Sequence, residues 1–340
     1  MIQEAISRLV DRQDLSRSET EAVFEEVFDG IATPSQVGAL LVALRLKGER
    51  SEEIAGAAGV VRSRTSPVVR TPPGRLILDT AGSGGDGMGT FNISTAVAFV
   101  ASAAGATVAK HVTTSVSSGA GSADVLSALG VKVDVEVELL ERCLADLRLA
   151  FMPSARFHAE LQRVAEIRSE IGVRSILNLL GPLANPAHAS RQLIGVFDGA
   201  LVSSVGRALI ELGTERSLVV HGDEGIDEIS PTGPTRATLV DKGELWPLIV
   251  EPEDVGIPRT RLEDIRGGSG GENAEAMREV FRGGGGPLRD AVVLNAAAAL
   301  WVYGLASDLR TGAEQARQVL DQGQALRKLE ALVALTNGTT

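Results

Sequence analysis

The sequence predicts an α/β fold in which a central, mostly parallel sheet is covered by helices, with a small all-helical part beside it. Three observations carry this. From Leu76 onward, short apolar runs of strand length alternate with helical patterns, as at Leu149-Ala150-Phe151-Met152, residues 192–197 and residues 218–221. Residues 1–66 hold only helix patterns, each with its own start signal. The turns after the first strand-like runs are rich in glycine and serine, which suits backbone that closes around a ligand.

The helices come first. Ser18-Glu19-Thr20-Glu21 reads as a capping box before Ala22-Val23-Phe24, and Gly30 ends that helix. Thr33-Pro34-Ser35-Gln36 opens the next with Pro34 in its first turn, and Gly48 closes it. Ser51 is then expected to cap a helix over 52–61. Pro67, Pro72, Pro73 and Gly74 mark a boundary. Residues 159–180 return to helical spacing and would fit back against the first helices. The glycine-rich stretches 267–271 and 283–286 read as surface loops, and 294–305 and 313–335 as closing helices.

Composition narrows the function. The 340 residues are 44% apolar but only 3% aromatic, so the core is built from Ala, Val, Leu and Ile. Lys plus Arg number 33 against 44 acids, a net charge of −11, which argues against nucleic acid or an anionic membrane as the main partner. Cys143 is the only cysteine, and its setting reads as helix packing. No run of 18 apolar residues and no signal peptide is present, so a soluble, cytoplasmic chain is expected.

The stretch from residue 76 to 124 carries the chemistry. Leu76-Ile77-Leu78-Asp79 reads as a buried strand, followed by Gly82-Ser83-Gly84-Gly85-Asp86-Gly87, then Thr90-Phe91-Asn92-Ile93-Ser94-Thr95 and a helix over 96–104. Strand, glycine turn and helix gather backbone N–H groups and a positive helix end at one spot, which suits phosphate. Ser94 and Thr95 add hydroxyls, or serve as helix caps. Gly82, Gly84 and Gly87 also match G-x-G-x-x-G, but the dinucleotide reading needs an acid about 20 residues on. The next strand instead ends at Lys110-His111, and no acid falls between Asp86 and Asp124. No Gly-Lys-Ser/Thr closes a P-loop either. A second loop, Ser115-Val116-Ser117-Ser118-Gly119-Ala120-Gly121-Ser122-Ala123-Asp124, leads into another helix that Ser122 or Asp124 can cap. Two adjacent anion cradles suit a molecule with a monophosphate at one end and a diphosphate at the other.

These runs resemble the anthranilate phosphoribosyltransferase family, whose loops read G-T-G-G-D-G, T-F-N-I-S-T and K-H-G-N-R-S-V-S-S. The likeness continues through 164–186 and 219–235 and covers nearly the whole chain. It implies a nucleoside phosphorylase/phosphoribosyltransferase-like layout: a discontinuous helical domain, 1–72 joined by about 160–186, and an α/β domain, 73–340, that binds phosphoribosyl diphosphate. It implies transfer of the phosphoribosyl group to the amine of anthranilate, with Mg²⁺, two ions per subunit, and a homodimer formed through the N-terminal helices. The implied donor-binding residues are Gly82, Gly85, Asp86, Thr90, Asn92, Ile93, Ser94, Thr95, Lys110, His111, Ser115, Ser117, Ser118 and Ser122. Those for anthranilate are Gly82, Thr113 and Arg168.

Asp227-Glu228 lies just past a strand end, where open α/β sheets bind ligands. Adjacent carboxylates there suit Mg²⁺, although spacing alone equally describes an acidic surface loop. The resemblance makes Asp227 and Glu228 ligands of one ion and Ser94 a ligand of the other. Asp223 and Glu224 are further acids that are either solvated or compete for the ion. Arg168, among Glu166, Glu170 and Arg174, would by itself be an ordinary ion-pair arginine; the family motif P-V-R-x-x-L-G-x-R makes it the grip on the anthranilate carboxylate. His111 and His158 are expected to line the site, and His221 to orient the acid loop. No residue is assigned as a general base.

One segment departs from the pattern. K-H-G-N-R is Lys110-His111-Val112-Thr113-Thr114, and the basic residue after S-V-S-S is Gly119. Val112 takes a glycine's place, where a positive φ would strain it. Two cations and an asparagine amide are gone from the acceptor side. The alternatives this leaves are a same-fold transferase with another acceptor, or a non-catalytic relative that binds a regulatory ligand or nucleic acid.

Overall fold

The computed structural model describes residues 1–66, 68–84, 87–113 and 120–338. Four helices lead: α1 (Ile2–Val10), α2 (Arg17–Phe28), α3 (Pro34–Lys47) and α4 (Ser51–Arg64). The α2 cap is Ser16 rather than Ser18. The Ser16 hydroxyl accepts from the Glu19 N–H at 3.3 Å, and the Glu19 carboxylate accepts from the Ser16 N–H at 2.8 Å. Both serines fit the capping pattern, but the earlier start frees Glu21 to pair with Arg17 at 2.9 Å. Helix α3 begins at Pro34 behind the Thr33–Gln36 box and ends at Gly48, φ +92°, as the sequence predicts. Ser51 is the first residue of α4 and not its cap. The buried Glu53 carboxylate does the capping, accepting from the Arg50 N–H at 2.8 Å and the Leu15 N–H at 3.0 Å.

The sheet follows: β1 (Leu78–Gly82), α5 (Ile93–Ala103), β2 (Val108–Val112), α6 (Ser122–Ala128), then α7 (Val137–Arg142), which runs into a π-helical turn, and β3 (Leu149–Pro153). Four short helices come next, α8 (Ser154–Phe157), α9 (Ala159–Arg163), α10 (Ala165–Ile171) and α11 (Leu177–Leu183). The chain returns through β4 (Arg191–Gly195), α12 (Leu201–Glu211), β5 (Arg216–Gly222), β6 (Thr235–Asp241) and β7 (Glu244–Val250). It closes with α13 (Gly270–Phe281), α14 (Pro287–Tyr303), α15 (Leu309–Asp321) and α16 (Gln324–Thr336). The single helix expected over 313–335 is two, broken where Gly323 turns at φ +63°.

The seven strands run in the order β3-β2-β1-β4-β5-β6-β7. The first five are parallel, and β6 and β7 form an antiparallel edge. Strand β1 starts two residues later than expected and runs on into the glycines, so Gly82 is a strand residue. It pairs in register with Gly195 of β4. Lys110 and His111 likewise lie inside β2 rather than at its end. Between β1 and β2 only Leu78 and Val108 are in register. Beyond them Asn185 spans the gap, donating to Asp79 Oδ2 at 2.7 Å and to the Ala109 carbonyl at 2.8 Å.

Alternate residues of the central strands feed two cores. Leu193, Leu218 and Val220 face one that contains α5 and α14. Ile194, Val219 and Val240 face another, shared by α1 to α4, α11 and α12. The N-terminal helices therefore pack through α12 onto one sheet face with no gap in the apolar interior. Among the described residues, no helix is long and apolar enough to cross a membrane.

Candidate active site

Strand β1 is followed in the chain by its neighbour on one side, β2, while its other neighbour is the later β4. This is the place where an open α/β sheet leaves a crevice at its carboxyl ends. The register pair Gly82–Gly195 forms the floor there, and the segment after β5 packs onto it. A Cβ on Gly195 would lie 1.5 Å from the Asp227 carbonyl oxygen, and one on Gly82 would lie 2.6 Å from Asp227 Oδ2. Glycine is required at both positions by close approach, not by an unusual φ.

The acid pair reaches from this floor to both arms of the first loop. Asp227 Oδ2 accepts from the Gly84 N–H at 2.7 Å and from the Ser83 hydroxyl at 3.4 Å. Glu228 accepts from the Ser94 N–H at 3.1 Å, in the first turn of α5. The Ser94 hydroxyl lies 3.1 Å from Lys110 Nζ, which also donates to the Thr80 carbonyl. Ser94, Asp227, Glu228 and Lys110 thus form one constellation. The N–H groups expected to face an anion are met here by the protein's own carboxylates.

Beneath it lies a buried charge pair. Burial pushes Asp79 up to about 6, against the Lys110 ammonium, the Asn185 amide and the His111 N–H, which all favour its charged form. Burial pulls Lys110 down, opposed by Asp79, Glu228 and Asp227. Asp223 and Glu224 are engaged elsewhere: Asp223 pairs with Arg236 at 2.9 Å, and Glu224 accepts from Ser230 and Thr232.

Two carboxylates and a hydroxyl are hard oxygen donors, the set that Mg²⁺ prefers. No group of three or more His, Cys, Asp or Glu able to hold a metal occurs among the described residues. With so few protein donors, these residues fit ions that take their remaining ligands from substrate phosphate and water.

The other expected residues divide. Asn92 is held between the Ala120 carbonyl, 3.3 Å, and Asn273, 2.8 Å, and so ties the two loops to α13. Thr90 bridges Arg266. Ile93 is buried, and the buried Thr95 hydroxyl has no partner among the described residues. Ser122 is the first residue of α6, whose start is closed by Asp124 accepting from the Gly121 N–H at 2.7 Å. His111 is turned inward, its ring 5.0 Å from that of His158, and burial pushes it down to about 3. His158 is itself fully buried, so the pair packs in the interior. His221 holds the Val196 carbonyl at 2.8 Å. Val112 is a buried strand residue and not among those with positive φ, so the expected strain is absent. Thr113 beside it is exposed. Gly85, Asp86, Thr114, Ser115, Ser117, Ser118 and Gly119 lie outside the described residues.

Arg168, on α10, is pulled down by burial, and among the described residues it has no ion pair with Glu166, Glu170 or any other acid. Sequence reasoning passed over Asp79 and Asn185. An acid inside an apolar strand-like run and the Asn-Pro after α11 were the available signals.

Comparison with known proteins agrees with this architecture. Residues 3–65 match the glycosyl transferase family, helical bundle domain, and residues 74–326 match the glycosyl transferase family, a/b domain. The chain belongs to this glycosyl transferase family. An anthranilate phosphoribosyltransferase from Anaeromyxobacter sp. strain Fw109-5 is 49% identical over 338 residues, 99% of each chain. The anthranilate phosphoribosyltransferase structure from Thermus thermophilus superposes with a TM-score of 0.91 at 40% identity, covering 98% of this chain and 99% of that one. That from Saccharomyces cerevisiae, in complex with PRPP and Mg, gives 0.88 at 26% identity, covering 99% and 98%. Within the family, the chain is a member of the anthranilate phosphoribosyltransferases.

Proposed function

We infer that the protein transfers the 5-phosphoribosyl group from phosphoribosyl diphosphate to the amine of anthranilate, releasing diphosphate, in tryptophan biosynthesis. The observation that carries the reading is the Ser94–Asp227–Glu228 constellation over the Gly82–Gly195 floor, in a chain of this family. The amine lone pair forms the N–C bond as the anomeric C–O bond breaks, diphosphate leaves with the electron pair, and the amine loses a proton. Positive charge grows on the sugar and negative charge on the leaving group.

In this reading Ser94 holds one Mg²⁺ and Asp227 with Glu228 holds the other. The bound metal neutralises the leaving diphosphate. The Gly84 and Ser94 N–H groups, turned from the carboxylates to substrate oxygens, orient the same group, as would the hydroxyls assigned above from 90 to 122. Arg168 takes the anthranilate carboxylate. Its support is a half-buried guanidinium without an ion pair among the described residues, which is open to a carboxylate. Gly82 and Thr113 complete the acceptor side. An aromatic amine held in place is already a nucleophile, so proximity supplies the rest without a base.

We propose the wider organisation on the same grounds. Residues 1–72 with about 160–186 form the helical domain and 73–340 the α/β domain. The chain works in the cytoplasm as a homodimer through its first helices, where Val10, Ile31 and Leu46 are exposed apolar side chains. Light scattering tests this, since a 35.5 kDa species at micromolar concentration contradicts the dimer.

The deciding experiment is anthranilate consumption, followed by its fluorescence, with purified protein, phosphoribosyl diphosphate and Mg²⁺. Turnover that stops on chelation supports the reading. Tight binding of phosphoribosyl diphosphate without consumption of anthranilate would shift it to another acceptor, the alternative that Val112, Thr113 and Thr114 favour.

A further inference from the structure

The donor half of the site as described is short of free positive charge. Lys110 donates to Thr80 and Ser94 and faces Asp79, Asp227 and Glu228. A substrate with a diphosphate on one carbon and a monophosphate at its far end needs more than one lysine already matched by acids.

Arg174 stands where such a charge is missing. It lies between α10 and α11, and its Nη2 is 3.2 Å from the position a Cβ would take on Gly87. Gly87 closes the glycine loop in the left-handed region, φ +73°. The guanidinium sits over the Phe197 ring, 5.7 Å from its centroid. Arg45 covers the same ring at 5.2 Å, but Arg45 is paired with Asp198 at 2.8 Å. Arg174 has neither an ion pair nor a hydrogen bond among the described residues. A purely structural arginine would use its five N–H donors on acids or carbonyls. This one is held by an aromatic face against the loop while its donors stay unused.

We propose that Arg174 is a substrate-binding residue that grips the diphosphate of phosphoribosyl diphosphate across the Gly87 end of the loop. A planar guanidinium meets two phosphate oxygens at once, and the ring fixes its plane before substrate arrives. Its place against the glycine loop assigns it to the diphosphate, leaving the acceptor carboxylate to Arg168. The inference rests on the transferase reading and deepens its donor half.

The test is calorimetric titration of the purified protein with magnesium diphosphate, alongside steady-state kinetics, for wild type, Arg174→Ala, Arg174→Lys and Phe197→Leu. Arg174→Ala should weaken magnesium diphosphate roughly tenfold to a hundredfold. KM for phosphoribosyl diphosphate should rise similarly, and KM for anthranilate should stay within about twofold. Arg174→Lys should recover part of the loss, since it restores charge without the fork. Phe197→Leu should cost less than Arg174→Ala. If Arg174→Ala does not fold, Arg174→Lys with wild-type affinity for diphosphate overturns the proposal. So does an Arg174→Ala protein of unchanged melting temperature and unchanged diphosphate affinity, or one in which only KM for anthranilate moves. Wild type that binds magnesium diphosphate but consumes no anthranilate overturns the acceptor reading alone, because the titration still reads Arg174.

Discussion

The Glu228 carboxylate accepts a 3.1 Å hydrogen bond from the backbone N–H of Ser94, a residue 134 positions earlier in the chain. Together with the bond from the Gly84 N–H to Asp227, it docks the segment after β5 onto the start of α5. The acids are thus aimed before any ligand arrives, and the ordering that a floppy acidic loop would require on binding is already in place.

Replacing Asp227→Asn and Glu228→Gln together should lower kcat roughly 10²–10³-fold or more, the scale for losing stabilisation of a charged leaving group. Far-ultraviolet circular dichroism should stay native, since both changes are isosteric and the Asn and Gln carbonyl oxygens can still accept from the Gly84 and Ser94 N–H groups. Mg²⁺-dependent turnover at the wild-type rate would remove the acid pair from the site.

Gly195→Ala is expected to be worse for the site than a surface change of the same size. The new methyl would stand 1.5 Å from the Asp227 carbonyl oxygen, so the acid segment has to lift away from β4. Overpacking of this kind costs about 1–3 kcal/mol or more. A lowered melting temperature with loss of magnesium diphosphate binding is expected, and an unchanged titration would contradict the packing argument.

On the acceptor side, Arg168→Ala should raise KM for anthranilate by roughly tenfold to a hundredfold, the value of a hydrogen-bonded charge. Thr113→Asn with Thr114→Arg should tighten anthranilate binding. Adding Val112→Gly to that pair should lower the melting temperature, because Val112 is buried in β2 and glycine would leave a cavity. Flat anthranilate affinity across all of these variants would point to a different acceptor.

Glu49 supplies a pH test. It is buried, and burial holds its pKa above the ordinary 4.5, opposed by its own backbone N–H and by Arg45 3.9 Å away. The folded chain therefore keeps a proton that the unfolded chain has lost, so Glu49 subtracts stability as pH rises above about 4.5. Glu49→Gln should raise the melting temperature at pH 8, and the gain should vanish at pH 4. An equal gain at both values would refute the titration argument.

How far the sequence was legible depended on whether the signal was local. The Thr33–Gln36 box, Gly48 and the alternation of strands with helices are local, and they read correctly. Ser16 and Ser18 offered two equivalent capping patterns, and the choice was made by Arg17 reaching Glu21. The start of α4 was decided by Glu53, which also binds Leu15 across 38 residues. The site divides in the same way. Asp227, Glu228 and Ser94 carried recognisable neighbours; Arg174 closes the same short run as Arg168, but its place against Phe197 and Gly87, both distant in the chain, shows only in the fold. For His111 the sequence could not show the packing partner: strand alternation separates its side chain from that of Lys110, and its ring meets His158 from another part of the chain.

The two hydrogen bonds that dock the acid segment have a consequence in time as well as in space. Their donors are main-chain amides, so the Gly84 and Ser94 hydrogens exchange with solvent only when the segment lets go. Those two amides act as a clock on the dwell of the acids against the loop. A ligand that draws the acids off without covering the amides speeds it, whereas one that also caps them with phosphate oxygens slows it.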